Sequence, residues 1–192
     1  MFSSYSNFMK RCFENIFINI AEGARCIYAG HYSGLCYHTD GKSHMSINDA
    51  SIFVGMPSLV VVDPVTAHHA VLCAEYLISD QFTKSAYVRL RRTPCLELEP
   101  VYDAAAAGKH PVTDLVLMTS GASADASTSA SASASASASA RGGGGGGGGG
   151  GSGGSRILFV AMGTNAVKLA WECQTSWASM ADIVVVPSLN AV

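Results

Sequence analysis

The sequence predicts an α/β fold built on a parallel sheet, and three observations carry that prediction. Short unbroken runs of β-branched and aliphatic residues occur at 59–62 and 183–186, segments of helical periodicity lie between such runs, and Gly23, Pro57 and Pro64 punctuate the junctions. Unbroken apolar runs of this length suit strands covered on both faces. Strands alternating with helices suit right-handed crossovers between parallel neighbours.

Taken in order, residues 4–22 read as an amphipathic helix. Tyr5, Phe8, Met9, Cys12, Phe13, Ile16, Phe17 and Ile20 recur at three- and four-residue steps, while Lys10, Arg11, Glu14 and Asn15 fall off that stripe. Ser3 or Ser4 can cap the start and Gly23 can end it. On spacing alone the aromatic residues read as core packing. Residues 25–30 form a short strand, followed by the loop HYSGLCYHTDGKSH at 31–44, with three histidines, Asp40, two glycines, Tyr32 and Tyr37. A loop so dense in polar functional groups, hung on a buried strand, is where α/β proteins place chemistry.

Residues 45–55 read as a helix or an irregular turn, closed by Met56 and Pro57. A strand at 59–63 breaks at Asp63 and Pro64, a helix spans 65–77, and a third strand at 85–90 runs into Arg89, Arg91 and Arg92. Residues 94–109 read as an irregular connector, and 111–119 hold another apolar run. Residues 120–155 then alternate Ser and Ala before ten consecutive glycines at 142–151. Such a tract cannot repay its ordering entropy and is expected to be a flexible, disordered insertion. It lacks the GxxxxGK followed by Ser or Thr of a phosphate loop. Beyond it come a strand at 157–161, a helix at 165–175 and a strand at 182–186. The expected division is therefore 1–119, 120–155 and 156–192.

Composition excludes several classes. The 192 residues carry 14 acidic and 12 basic side chains, a net charge of −2 with no basic block, so nucleic acid is not an expected partner. No apolar run approaches the roughly 18 residues of a membrane span. The start lacks a secretory signal, so an intracellular, cytoplasmic location is expected, with organelle targeting left open. The six cysteines at 12, 26, 36, 73, 95 and 173 are scattered without CxxC spacing and read as reduced thiols. His68 and His69 are adjacent on a predicted helix and point different ways, so no metal site is expected.

Several motifs in register resemble the pyrimidine-binding domain of transketolases. SYSNFMKRCFEN at 4–15 is similar to the family's TFxxFxxRAxDQ helix, AGH ending at His31 to its GSH or ATH turn, and HTDGKSHM at 38–45 to its GEDGPTHQ loop. INDASIFVGMPS at 47–58 is similar to LEDxAxxRxxPN, LVVVDP ends at Pro64 as the family strand does, and YVRLRRT at 87–93 resembles YIRLxRP. ILFVAMGTNAVKLA, from Ile157, resembles the IxLVATGSEVxLA opening of the family's C-terminal domain. The pieces are individually weak, but they occur in the right order and spacing. The AGH turn and the YVRLRR strand favour transketolases over deoxyxylulose-phosphate synthases and 2-oxoacid dehydrogenases.

The resemblance implies a three-layer, parallel-sheet pyrimidine-binding domain, truncated at its N-terminus, followed by a partial α/β C-terminal domain. It implies thiamine diphosphate as cofactor and transfer of two-carbon ketol units between sugar phosphates. It places Tyr5 and Phe8 against the cofactor's aminopyrimidine, and His31, Asp40 and His44 at the reacting sugar. Arg92 falls on the arginine that grips the substrate phosphate. The loop departs from the family pattern at His38, Thr39, Lys42 and Met45, which bears on substrate preference.

On this register the family's cofactor-activating glutamate lies upstream of residue 1, and Glu14 and Glu22 do not take its place. The domain that holds the diphosphate with Mg or Ca also falls outside the chain. The expectation is thus a part of a transketolase-like enzyme, inactive alone and completed by a diphosphate-binding domain or subunit in a homo- or hetero-oligomer. The alternatives are a non-catalytic module that binds or regulates a full-length partner, and another thiamine enzyme of the two related types.

Overall fold

The computed structural model describes residues 1–34, 39–92, 98–119, 157–177 and 181–189. The chain opens with strand β1 (Phe2–Tyr5), then short helix α1 (Ser6–Met9), a 3-10 turn (Lys10–Cys12) and helix α2 (Phe13–Ala21). Strand β2 (Ile27–His31), helix α3 (Asp49–Phe53), strand β3 (Leu59–Val62), helix α4 (Ala67–Ile78) and strand β4 (Ser85–Leu90) complete the first unit. These strands lie in the order β1-β2-β4-β3, every pair parallel, as the sequence predicts for the runs at 25–30, 59–63 and 85–90.

Side-chain alternation divides this sheet between two cores. Leu59, Val61 and Tyr87 pack on one face with Met9, Ile16, Phe53 and Met56. Val60, Val62, Ala86 and Val88 face the other way, onto Cys73 and Leu77 of α4 and onto Phe82. Helices thus cover both faces, giving the expected three layers. Close approach fixes one position: a Cβ at Gly30 would stand 2.5 Å from the Tyr87 hydroxyl and 2.6 Å from Ser6 Oγ.

A second, three-stranded sheet forms from β5 (Val116–Thr119), β6 (Ile157–Ala161) and β7 (Ala181–Val185), in the order β5-β7-β6. Helix α5 (Glu99–Ala106) and helix α6 (Gly163–Trp177) cover one face, through Leu98, Tyr102, Val167 and Ala170. Strand β8 (Ser188–Leu189) then returns to pair antiparallel with β3.

The structure corrects three sequence expectations. Residues 4–22 are not one helix. Tyr5 ends a strand, the first helix starts at Ser6 without a side-chain cap, and a 3-10 turn interrupts the helical run. The parallel pairing of β1 with β2 overrides the helical periodicity there. Second, the aromatic stripe is only partly core: Met9 and Ile16 are buried, but Phe13 and Phe17 remain 40% and 46% exposed. Third, the connector at 94–109 contains α5, which has Pro in its first turn, where the missing N–H costs nothing, and anchors through buried Tyr102. The apolar run at 111–119 supplies β5, which pairs antiparallel with β7 in the second sheet. The Ser/Ala/Gly tract, and with it the expected insertion, lies outside the described residues.

Candidate functional site

Tyr5, His31 and Leu90 stand abreast at the carboxyl ends of β1, β2 and β4. The residues that follow each strand therefore meet at one edge of the sheet, where parallel α/β sheets place their ligands. After β1, helix α1 brings Phe8 beside Tyr5, with ring centroids 5.3 Å apart and edge-on. After β2, Tyr32 stacks on Tyr5 at 4.8 Å. The loop then folds back so that the His44 ring meets Tyr5 at 5.2 Å and Phe8 at 5.3 Å, edge-on to the former. Four rings drawn from three segments thus form one cluster.

Polar contacts fasten the cluster to the sheet. Ser3 on β1 bonds His31 Nε2 through its hydroxyl. Ser6 Oγ lies 2.5 Å from Ser33 Oγ, and the Ser33 hydroxyl also donates to the Gly30 carbonyl at 3.1 Å. Asn7 donates its amide to the Ser43 carbonyl, and Lys10 Nζ reaches Asn48 Oδ1 at 2.9 Å, tying the first helical segment to the loop that carries His44. Ser43 Oγ sits 2.9 Å from His44 Nδ1.

His31 and His44 are both half-buried imidazoles. A neutral imidazole offers one donor and one acceptor and can steer hydroxyl protons. Asp40 stands apart, exposed on the turn, and its carboxylate has no hydrogen-bond partner among the described residues. His38 lies outside the described residues. Tyr5 and Phe8 are half-buried, so each keeps part of its ring accessible, and aromatic rings of this kind suit a flat heteroaromatic ring. Among the described residues no group of three His, Cys, Asp or Glu is placed to hold a metal ion.

The end of β4 carries a buried charged network that the sequence reading missed. Arg89 Nε donates to Asp49 Oδ2 at 2.8 Å, Arg89 also pairs with Asp63, and Arg91 Nη2 reaches Asp63 Oδ2 at 2.9 Å. The Tyr87 hydroxyl donates to Asp49 at 2.9 Å. Burial opposes the Arg89 charge, but Asp63 and Asp49 outweigh it and raise the pKa above its ordinary value. Burial, then Asp49, raises that of Tyr87. Neither Arg89 nor Arg91 faces solvent freely.

Arg92 does stand exposed, with its guanidinium carbon 5.3 Å from the centre of the Tyr32 ring. It lines a cleft of about 370 Å³ together with Arg91, Thr66, Thr164 and Glu99. A second cleft, of about 300 Å³ between α4 and α5, holds His69 and His110. Two of its imidazoles already serve backbone groups: His69 donates to the Pro111 carbonyl at 2.7 Å, and His110 Nδ1 accepts from the amides of Val112 and Thr113. Burial pushes the Cys73 thiol up to about 12, so it is no nucleophile.

The family model described as the transketolase pyrimidine-binding domain matches residues 1–95. Residues 1–95 form a transketolase-family pyrimidine-binding domain. Solved transketolases share the fold over nearly the whole chain. A Pichia stipitis transketolase mutant complexed with fructose 6-phosphate superposes with a TM-score of 0.64 at 13% identity, over 97% of this chain and 22% of that one. The Leishmania mexicana transketolase gives 0.62 at 13% identity, again over 97% and 22%. A split-gene transketolase, described as an inactive beta4 tetramer, gives 0.62 at 18% identity, over 98% of this chain and 49% of that one. The chain thus spans about a fifth of the length of the first two transketolases and about half of the split-gene chain. Comparison with curated proteins yields no match.

Proposed function

We propose that this chain supplies the pyrimidine-binding half of a thiamine diphosphate-dependent, transketolase-like site that transfers two-carbon ketol units between sugar phosphates. The observation that carries the reading is the meeting of Tyr5, Phe8 and His44 in one ring cluster, with His31 abreast of Tyr5 at the sheet edge. When bound, thiamine diphosphate supplies the carbon nucleophile on which such transfers depend.

This chain's residues take the other tasks. Tyr5 and Phe8 would flank the aminopyrimidine and keep water from it. His44, edge-on to Tyr5, would exchange a proton with a sugar hydroxyl near the reacting carbon, and His31 would do so further along the sugar, with Ser3 holding its Nε2. Asp40, exposed on the turn, would accept from a sugar hydroxyl. Arg92 would take the terminal phosphate, for which a guanidinium fork is well shaped. The diphosphate and its Mg or Ca belong, on this reading, to a second domain or subunit that completes the site.

Titration calorimetry on the full chain tests this. Thiamine and thiamine diphosphate should bind it weakly and alike, with or without magnesium. A separately prepared transketolase diphosphate-binding domain should make binding tight and magnesium-dependent, and Phe8→Ala should weaken it. Tight, magnesium-dependent binding of thiamine diphosphate by this chain alone would refute the division of labour. No gain on adding the second domain would favour a non-catalytic module instead.

A further inference from the structure

We propose that Tyr32 positions Arg92, holding the phosphate-gripping side chain on the same aromatic stack as Tyr5. The inference rests on the phosphate role proposed above for Arg92. Strand order makes the arrangement possible. β2 lies between β1 and β4, so Tyr5 and Arg92 emerge from strands that do not touch. Tyr32, one residue beyond the end of β2, reaches both: it stacks on Tyr5 at 4.8 Å, 30° from parallel, and lies under the Arg92 guanidinium at 5.3 Å. The tier then runs Arg92, Tyr32, Tyr5, with His44 and Phe8 against the edges of Tyr5.

The backbone at Tyr32 supports a purpose for this placement. Its φ is 58°, the left-handed region that a bulky side chain rarely adopts. Such conformations persist where the surroundings over-determine them, and they gather at ligand sites. The neighbouring Ser33 hydroxyl, bonded to Ser6 and to the Gly30 carbonyl, pins the turn from below. A guanidinium held over an aromatic face directs its N–H groups sideways, in the plane in which a guanidinium meets an anion. Tyr32 thereby narrows the directions Arg92 can take without touching the substrate itself.

The test uses the full 192-residue chain and ligand-observed NMR, with ribose 5-phosphate as probe and ribose as control. Tyr32→Phe keeps the stack. Tyr32→Asn removes the ring with a residue that tolerates left-handed backbone. Tyr32→Asn should weaken ribose 5-phosphate about two- to five-fold, the range expected of an exposed cation–π contact, and leave ribose unchanged. Tyr32→Phe should match the parent. The Arg92 Nε–H resonance should carry a ring-current shift that Tyr32→Phe keeps and Tyr32→Asn abolishes. A phosphate preference that Arg92→Gln removes but Tyr32→Asn leaves intact overturns this inference alone. No preference for ribose 5-phosphate over ribose, or one that survives Arg92→Gln, overturns the phosphate reading and this inference with it.

Discussion

Asp63 is wholly buried and receives two guanidinium groups at once. Its pairing helps Arg89 to sit inside a buried strand. Asp63→Asn keeps the shape but takes the carboxylate from Arg91 and leaves Arg89 with Asp49 alone, and breaking a buried pair costs about 3–5 kcal/mol. Urea unfolding should show that loss; a change below about 1 kcal/mol would mean that water reaches the pair. His69 makes a separate prediction. Burial, the largest influence, lowers its pKa from 6.5, and both ring nitrogens are bonded, to the Val65 amide and the Pro111 carbonyl. The unfolded chain therefore takes up the proton first. The His69 contribution should be complete above pH 6.5, decline as pH falls towards the lowered folded value, and stay flat below it. Urea midpoints measured between pH 8 and pH 5 should lose this component in His69→Gln. At this scale the sequence revealed His31, His44 and Arg92 through register with a known motif. It did not reveal Tyr32, whose role depends on a left-handed turn that residue types do not announce. The Asp49–Arg89–Asp63 set left a signal: a charge inside AYVRL and another closing LVVV each demand a buried partner.

At the scale of elements, the strands were the legible part, because unbroken β-branched runs admit few other readings. The helices were less so. Spacing in residues 4–22 suits a helix, yet Phe2–Tyr5 is drawn into the sheet by pairing with β2, a contact that local periodicity cannot express. The same limit hid α5, whose stability comes from Tyr102 under α4 and the second sheet rather than from a marked stripe. The junction of β6 and α6 gives a sharp test. Gly163 has a φ of 73°, and a Cβ there would lie 2.1 Å from Arg91 Nη2 and 2.2 Å from Asp63 Oδ2. Gly163→Ala should therefore cost more than about 1 kcal/mol from the backbone alone, with further loss as the ion pair shifts. Amide exchange should accelerate in α6 and around Asp63 together; acceleration in α6 alone would show that the two units meet more loosely than this contact implies.

Across the whole molecule, the two sheets are joined by more than adjacency. Thr164 Oγ1 donates to the Val65 carbonyl at 2.8 Å, the Asp63 amide donates to the Pro187 carbonyl at 3.1 Å, and β8 pairs with β3. Deleting residues 187–192 should speed exchange of the Asp63 amide without unfolding β2 or β4, whose register does not depend on β8. The second sheet leaves Leu117, Leu158 and Val160 exposed on its outer face. The parallel order of the first sheet was readable in the alternation of elements, whereas the return of β8 was not, since two residues carry no pattern. No helix among the described residues is long and apolar enough to cross a membrane.

The pairing within the second sheet has a consequence for the tract between β5 and β6. Thr119 is registered with Asp182 and Ile157 with Ala181, on either side of the central strand β7. The two anchor points are thus neighbours across two strand spacings, about 10 Å. Any chain that can bridge that gap closes the same sheet, and closure entropy grows only with the logarithm of length. Shortening the 37 residues at 120–156 to about nine should thus stabilise the protein by only about 1 kcal/mol. Selection for folding therefore has little hold on the length of this tract. Repeats can expand or contract there in the gene while the architecture around them stays unchanged.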